Sequence, residues 1–219
     1  MKPYWLAFSV LAFGVQARLI AAQDPVIQVE FSDPNLSPPH WTLVLHPNGF
    51  GHFHSEMGAK PAAERKEIEV PEVDRDIQLS PAYAQHIFAV AQQHRWFNTA
   101  CESHLKVAFT GWKTFTYTGP EGKGSCTYNY SKDKEIEALG ESIVAVAETI
   151  EEGAKLETLL QHDRLGLDQE MEYLTSAAAD GRVQQICAIR GILERLMQDD
   201  AVLERVKKRA RELLSHGST

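Results

Sequence analysis

The stretch HPNGFGHFHSE, residues 46–56, holds the side chains with the clearest potential for chemistry. His46, His52 and His54 carry imidazoles and Glu56 carries a carboxylate, and both groups bind zinc or copper in proteins. The turn residues between the first two histidines predict a chain reversal that brings the two flanking strands together. These four residues are therefore a candidate metal site for zinc or copper. The alternative is a hairpin whose polar outer face carries histidines.

The length of the hairpin loop decides which residues share a face of the sheet. A two-residue turn would place apolar and polar side chains on the same face of the sheet. A loop of three or five residues pairs His46 with His52 and places the apolar and the polar side chains on opposite faces. Each large apolar side chain placed on the exposed face would lose about 1.5–3 kcal/mol of burial free energy. The register of the three- or five-residue loop is therefore favoured. It buries the following apolar residues on one face: Trp41, Leu43, Leu45 and Phe53. The candidate metal ligands then lie on the outer face, where an open hairpin holds a metal weakly.

Other catalytic arrangements lack their residues. The sequence contains no H-E-x-x-H, G-x-S-x-G or phosphate-binding loop motif. Glu151 and Glu152 are neighbours around a helix and cannot face each other across a substrate. The sequence therefore favours binding over catalysis. A metal-binding protein or metal-dependent hydrolase that uses the histidine cluster is the alternative.

The first residues indicate export from the cytoplasm. Residues 1–22 contain a lysine, an apolar run of about a dozen residues and small residues near the end, which is the layout of a signal peptide. We therefore expect an extracytoplasmic protein, periplasmic or secreted, without stable membrane insertion after the signal is removed. The net charge of −8 argues against nucleic acid as a partner, because its backbone attracts basic surfaces.

Three cysteines also bear on the compartment of the protein. In an oxidising compartment Cys101 and Cys126 are candidates for a disulfide, while Cys187 lies on the apolar side of a helical pattern. A single straight strand over residues 104–118 would hold the first two far beyond the ~6 Å Cα separation that a disulfide tolerates. The pairing therefore requires a bend in the chain, for which Gly111 is a candidate. The alternative, in which Cys101 and Cys126 stay as free thiols, remains open.

The periodicity of apolar residues predicts an α+β protein. Residues 26–130 mostly alternate with a period of two, and a period of 3.6 follows from Ser131. Within the first stretch, Ser80 followed by Pro81 predicts the cap and the first residue of a helix. We expect an antiparallel sheet of hairpins with one or two packed helices, followed by a C-terminal antiparallel helical bundle. One of the hairpins is interpreted as the segments KVAF and WKTFTYT followed by SCTYNY. The predicted segments are a signal peptide at 1–22, an extended proline-rich linker or edge strand at 23–40, an α+β domain at 41–153 and the bundle at 154–219.

The same layout resembles a known family. GFGHF, the helix LSPAYAQHIFAVAQQHRWF and the hairpin WKTFTYTGPEGKGSCTYNYS are similar in order to the emfourin-like domains, small α+β inhibitors of metalloproteases. The resemblance covers residues 41–150 and implies protease binding through exposed loops. The signal peptide and the helical tail depart from the family pattern, and no inhibitory residue is assigned. The sequence thus predicts a non-catalytic module that binds another extracytoplasmic protein with an inhibitory or regulatory effect.

Overall fold

A computed structural model describes residues 24–57 and 72–216, so the predicted signal peptide at residues 1–22 lies outside the described residues. Six strands form one sheet in which every neighbouring pair is antiparallel: β1 Val26–Ser32, β2 His40–Leu45, β3 Phe50–Ser55, β4 Val73–Gln78, β5 Trp112–Gly119 and β6 Gly122–Tyr128. Their order across the sheet is β4-β3-β2-β1-β5-β6. The predicted α+β class is confirmed.

The first strand lies in the interior of this sheet, between β2 and β5. Its alternating sequence buries Ile27, Val29 and Phe31, and the Phe31 ring stacks on Trp41 with centroids 5.3 Å apart. The expectation of a linker or an edge strand at residues 23–40 was wrong for this part of the segment. The following strand β2 covers one edge of β1, and β5, which is distant in sequence, covers the other; the short alternating run of β1 gave no sign of this long-range pairing.

Two helices cover the apolar face of the sheet. Helix α1, Pro81–Gln93, begins after Ser80, whose hydroxyl accepts from the Tyr83 amide at 3.3 Å, which confirms the predicted cap. Helix α2, Lys134–His162, is capped by Asp133 and contacts β6 through a hydrogen bond from the Tyr128 hydroxyl to the Ile136 carbonyl at 2.8 Å. The core of the sheet therefore lies on one side, and the opposite face carries the polar residues of each strand.

The last three helices form the second packed unit. They are α3 Gly166–Ala179, α4 Arg190–Gln198 and α5 Glu204–His216, with a short 3-10 turn at Ile186–Ile189 before α4. In this unit α3 and α4 pack against α2, and α5 packs against α3 and α4. One apolar cluster reaches along α2 to Ala154, and a second begins at Leu156. Arg75 of β4 also donates to Glu157 of α2 at 2.7 Å. Helix α2 therefore contributes to both cores.

None of the helices in the described part of the chain combines the length and the apolar character needed to cross a membrane.

Candidate functional site

The predicted metal ligands lie on the outer face of β2 and β3, as the favoured register requires, but their pairing differs. The loop has three residues, and His46 is opposite Phe50, whose carbonyl accepts from the His46 amide at 2.9 Å. The predicted pairing of His46 with His52 was therefore wrong, and His52 is opposite Val44. The burial pattern fixes the face of each strand, but the length of the loop shifts the register by two residues without changing the face.

The four residues find different partners. The His46 ring packs on Phe50 with centroids 6.3 Å apart, and Glu56 lies 3.5 Å from His40. His52 and His54 instead contact Asp74 of β4, His52 through Nε2 at 3.1 Å and His54 through Nδ1 at 3.4 Å. Residues 24–57 and 72–216 contain no group of three or more His, Cys, Asp or Glu side chains arranged to hold a metal ion.

Electrostatic pairing dominates this outer face. His52 Nδ1 lies 2.9 Å from a carboxylate oxygen of Asp76, and this hydrogen bond raises the pKa of His52 against the opposing effect of desolvation. Asp74 raises the same pKa further. The arrangement is a set of His–Asp contacts between neighbouring strands, centred on His52.

A second surface has the features of a binding site. Residues 101–111 form neither helix nor strand, and every residue from His104 to Thr110 is exposed. We call residues 104–111 the apolar loop. Together with Trp112, which follows it, and Tyr130, which lies after β6, it exposes five large apolar side chains: Leu105 (51%), Val107 (44%), Phe109 (44%), Trp112 (45%) and Tyr130 (37%). Concentration of such side chains on one surface segment is typical of interaction sites.

The beginning of the apolar loop is tied to the sheet. Cys101 forms a disulfide with Cys126 of β6, and the Cα atoms are 5.7 Å apart, so the open pairing is resolved. Next to it, the Glu102 carboxylate accepts from the backbone amides of Asn129 at 2.7 Å and His104 at 2.9 Å. Desolvation opposes ionisation of Glu102, but these hydrogen bonds outweigh it and lower the pKa. Covalent and charged contacts thus both fix the entry of the loop.

The other end of the apolar loop is held by the side chain of Asn129. Its Nδ2 donates to the Ala108 carbonyl at 3.1 Å, and its Oδ1 accepts from the Thr110 amide at 2.8 Å. The two bonds lie on either side of Phe109. Within the described residues no hydrogen bond is formed by the backbone of Phe109 itself.

A cavity of about 690 Å³ separates the apolar loop from α2. Ala108 and Thr110 are among its lining residues, and Phe109 between them is not. At its base the buried Lys113 ammonium lies 3.4–3.5 Å from Thr110 Oγ1 and two backbone carbonyls. Burial lowers the pKa of Lys113, and carboxylates that include Glu137 partly offset this effect. The loop therefore forms one wall of this cavity, and Phe109, which packs on Trp112, lies outside it.

Sequence reasoning missed this surface because KVAF alternates as a strand does. The interpretation of residues 106–109 as part of a hairpin was wrong, since β5 begins at Trp112 and the preceding residues lie outside the sheet. The available signal was the disulfide geometry, which requires a bend in this region. Gly111, with φ of 93°, adopts a backbone conformation that favours glycine at the junction of loop and strand.

A comparison with protein-family models gives no match for the chain, and neither does a comparison with curated protein sequences.

Proposed function

We propose that the chain is an extracytoplasmic, non-catalytic protein-binding module that inhibits or regulates its partner, and that the apolar loop with Trp112 and Tyr130 is its binding surface. The observation that carries this proposal is a group of five large, exposed apolar side chains, three of them on a loop that is anchored at both ends and the others at Trp112 and Tyr130. Binding by such a surface needs no reactive group. It needs only apolar area and a defined shape.

The anchoring contacts support binding in energetic terms. A flexible loop loses conformational freedom when it binds, at a cost of about 0.5–1.5 kcal/mol for each side chain that becomes immobile. The disulfide at Cys101 and the hydrogen bonds of Asn129 restrict the loop before any partner arrives. Phe109 and Trp112 also pack edge to face, with centroids 6.1 Å apart. Aromatic side chains on a restricted backbone are frequent centres of binding energy.

Two features support the proposed location. A disulfide is stable in oxidising compartments and rare in the cytosol, and Cys101 and Cys126 form one. The apolar sequence of residues 1–22 has the layout of an export signal. The emfourin-like layout of residues 41–150 makes secreted proteases the first class of partner to test.

The test is an inhibition panel with the full chain purified after export. Thermolysin, subtilisin, chymotrypsin, papain and pepsin represent the main mechanisms, and the measured quantity is the inhibition constant with a protein substrate. We expect inhibition of at least one protease, weakened about 10-fold or more by Leu105→Ser combined with Val107→Ser. The matched control is Leu165→Ser with Leu203→Ser, two exposed leucines of the helical part, for which we expect no change. Absence of inhibition across the panel, or equal inhibition by the loop variant, contradicts the proposal.

A further inference from the structure

Asn129 gives the centre of the apolar loop the local geometry of a strand. In an extended chain the N–H and C=O of one residue point to the same side, and those of its two neighbours point to the opposite side. The Ala108 carbonyl and the Thr110 amide both bond to the Asn129 side chain, so both point towards the body of the protein. The N–H and C=O of Phe109 are therefore directed outward.

The Phe109 side chain differs from those of its neighbours. Val107, Ala108 and Thr110 line the cavity beneath the loop, whereas Phe109 does not line it and keeps 44% of its surface exposed. Phe109 thus offers a partner one large apolar side chain and a pair of backbone hydrogen-bonding groups. Proteins that bind an extended chain recognise this combination: hydrogen bonds to the backbone supply affinity, and a pocket for the side chain supplies specificity.

From this geometry we infer that the partner is an endoprotease, that residues 108–110 of the apolar loop enter its cleft as an extended, substrate-like segment, and that Phe109 fills the primary specificity pocket. This inference rests on the proposed function and adds the contact residue and the substrate class: clefts that accept a large apolar side chain. Asn129 is a positioning residue, because it holds the backbone on both sides of Phe109 without contacting the partner.

The attachment of the loop explains how a substrate-like segment inhibits. The disulfide at Cys101 and the Asn129 hydrogen bonds hold the backbone on each side of Phe109 in place. A peptide bond cleaved next to Phe109 by addition of water would leave both new ends held by the same contacts. The bound segment therefore leaves the cleft slowly, whether or not that bond is intact.

The specificity of Phe109 is tested with chymotrypsin and trypsin, whose clefts are alike but whose specificity pockets are apolar and acidic, respectively. The same test is made with thermolysin or any other protease that the panel finds inhibited. We expect Phe109→Ala to raise the inhibition constant about 30-fold or more. We expect Phe109→Arg to weaken inhibition of the protease with an apolar pocket and to create or strengthen inhibition of trypsin. Phe50→Ala is the matched control, because Phe50 is also 44% exposed but lies at the hairpin tip; it leaves both constants unchanged.

The role of Asn129 has a separate readout. We expect Asn129→Ala to convert the inhibitor into a substrate, with mass spectrometry locating the new cleavage at one of the two bonds beside Phe109. Asn129→Asp retains the acceptor for the Thr110 amide and is expected to be cleaved more slowly than the alanine variant. Unchanged thermal unfolding of both variants excludes general loss of the fold.

The outcomes distinguish the two proposals. If the wild-type chain inhibits a protease and the Phe109 variants inhibit it equally, the substrate-like inference is wrong, whereas the proposed function stands if Leu105→Ser with Val107→Ser still weakens inhibition. Cleavage of Asn129→Ala at sites remote from Phe109 also contradicts the inference. If no protease is inhibited or bound, the inhibitory function fails and the inference fails with it.

Discussion

A disulfide joins Cys101, at the entry of the apolar loop, to Cys126 in β6, across 25 positions of sequence. Such a crosslink restricts the unfolded chain and stabilises the fold by about 3 kcal/mol for a loop of this length. We expect the double variant Cys101→Ser, Cys126→Ser to lose stability of this order in urea denaturation and to be cleaved faster within residues 102–111 by proteases. Cys187→Ser, at the half-buried free cysteine, is the control. Equal stability of double variant and wild type would show that the crosslink does not hold this segment.

A buried acid pair makes stability depend on pH. Lys155 Nζ lies 2.7 Å from Glu170 and 4.0 Å from Glu152, and one oxygen of each carboxylate is buried without a hydrogen-bond partner among the described residues. Burial, together with the adjacent Glu170 carboxylate, raises the pKa of Glu152 to about 9. Because the folded state retains a proton that the unfolded state releases above its ordinary pKa near 4.5, this contribution to stability is complete below that pKa. It is lost as the pH rises to about 9.

The permanently neutral variant Glu152→Gln should therefore flatten this dependence. We expect it to be more stable than the wild type at pH 9, by about 1 kcal/mol or more, and similar near pH 4. Burial raises the pKa of Glu151 to about 8. Because of Glu151, the stability of the variant still falls as the pH rises, but less steeply than that of the wild type. Denaturation curves between pH 4 and 9 measure the effect, and the exposed Glu172→Gln serves as control. A parallel decline in the stability of wild type and Glu152→Gln would refute the retained proton on Glu152.

The outer face of the sheet offers a prediction for one histidine. We expect NMR titration to place the pKa of His52 above its ordinary value of 6.5, chiefly because of the Asp76 hydrogen bond. Asp76→Asn should lower this pKa more than Asp74→Asn, since Asp76 makes the larger contribution. The reverse order, or no response to either change, would contradict the assigned pairs.

Two glycines in helices should respond in opposite ways to alanine. A Cβ at Gly153 in α2 would lie 2.3 Å from the Ile189 side chain, whereas a Cβ at Gly191 in α4 meets nothing within 4 Å. We expect Gly153→Ala to cost about 1–2 kcal/mol, because overpacking exceeds the gain in helix propensity. Gly191→Ala should be neutral or stabilise by up to about 1 kcal/mol. Urea denaturation measures both, and stabilisation by Gly153→Ala would disprove the close approach of α2 to Ile189.

Local patterns predicted much of this fold. The Ser80–Pro81 helix start, the change of period at Ser131 and the buried face of the β2–β3 hairpin all depend on neighbouring residues, and each was found where expected. The interior place of β1 and the continuity of α2 through Gly153 depend on contacts distant in sequence. Gly153 weakens the helical pattern, yet it is the position where the backbone of α2 approaches Ile189.

The candidate site was less predictable for the same reason. Alternation alone cannot separate a strand of the sheet from an exposed segment held by Asn129, because KVAF has the same pattern outside the sheet. The partner of Ala108 and Thr110 lies some twenty residues further along the chain, in a polar side chain without a motif. Of the conspicuous histidines, in contrast, His52 and His54 contact Asp74 of β4, and His46 packs on Phe50.

The central claim is that the apolar loop is the surface that contacts the partner. Hydrogen exchange measured by mass spectrometry, with the full chain alone and in complex with the protease that it inhibits, tests this most directly. We predict slower exchange over residues 104–112 and around Asn129, and unchanged exchange in β3 and β4. Protection confined to the outer face of β3 and β4, with residues 104–112 exchanging as in the free protein, would contradict the claim.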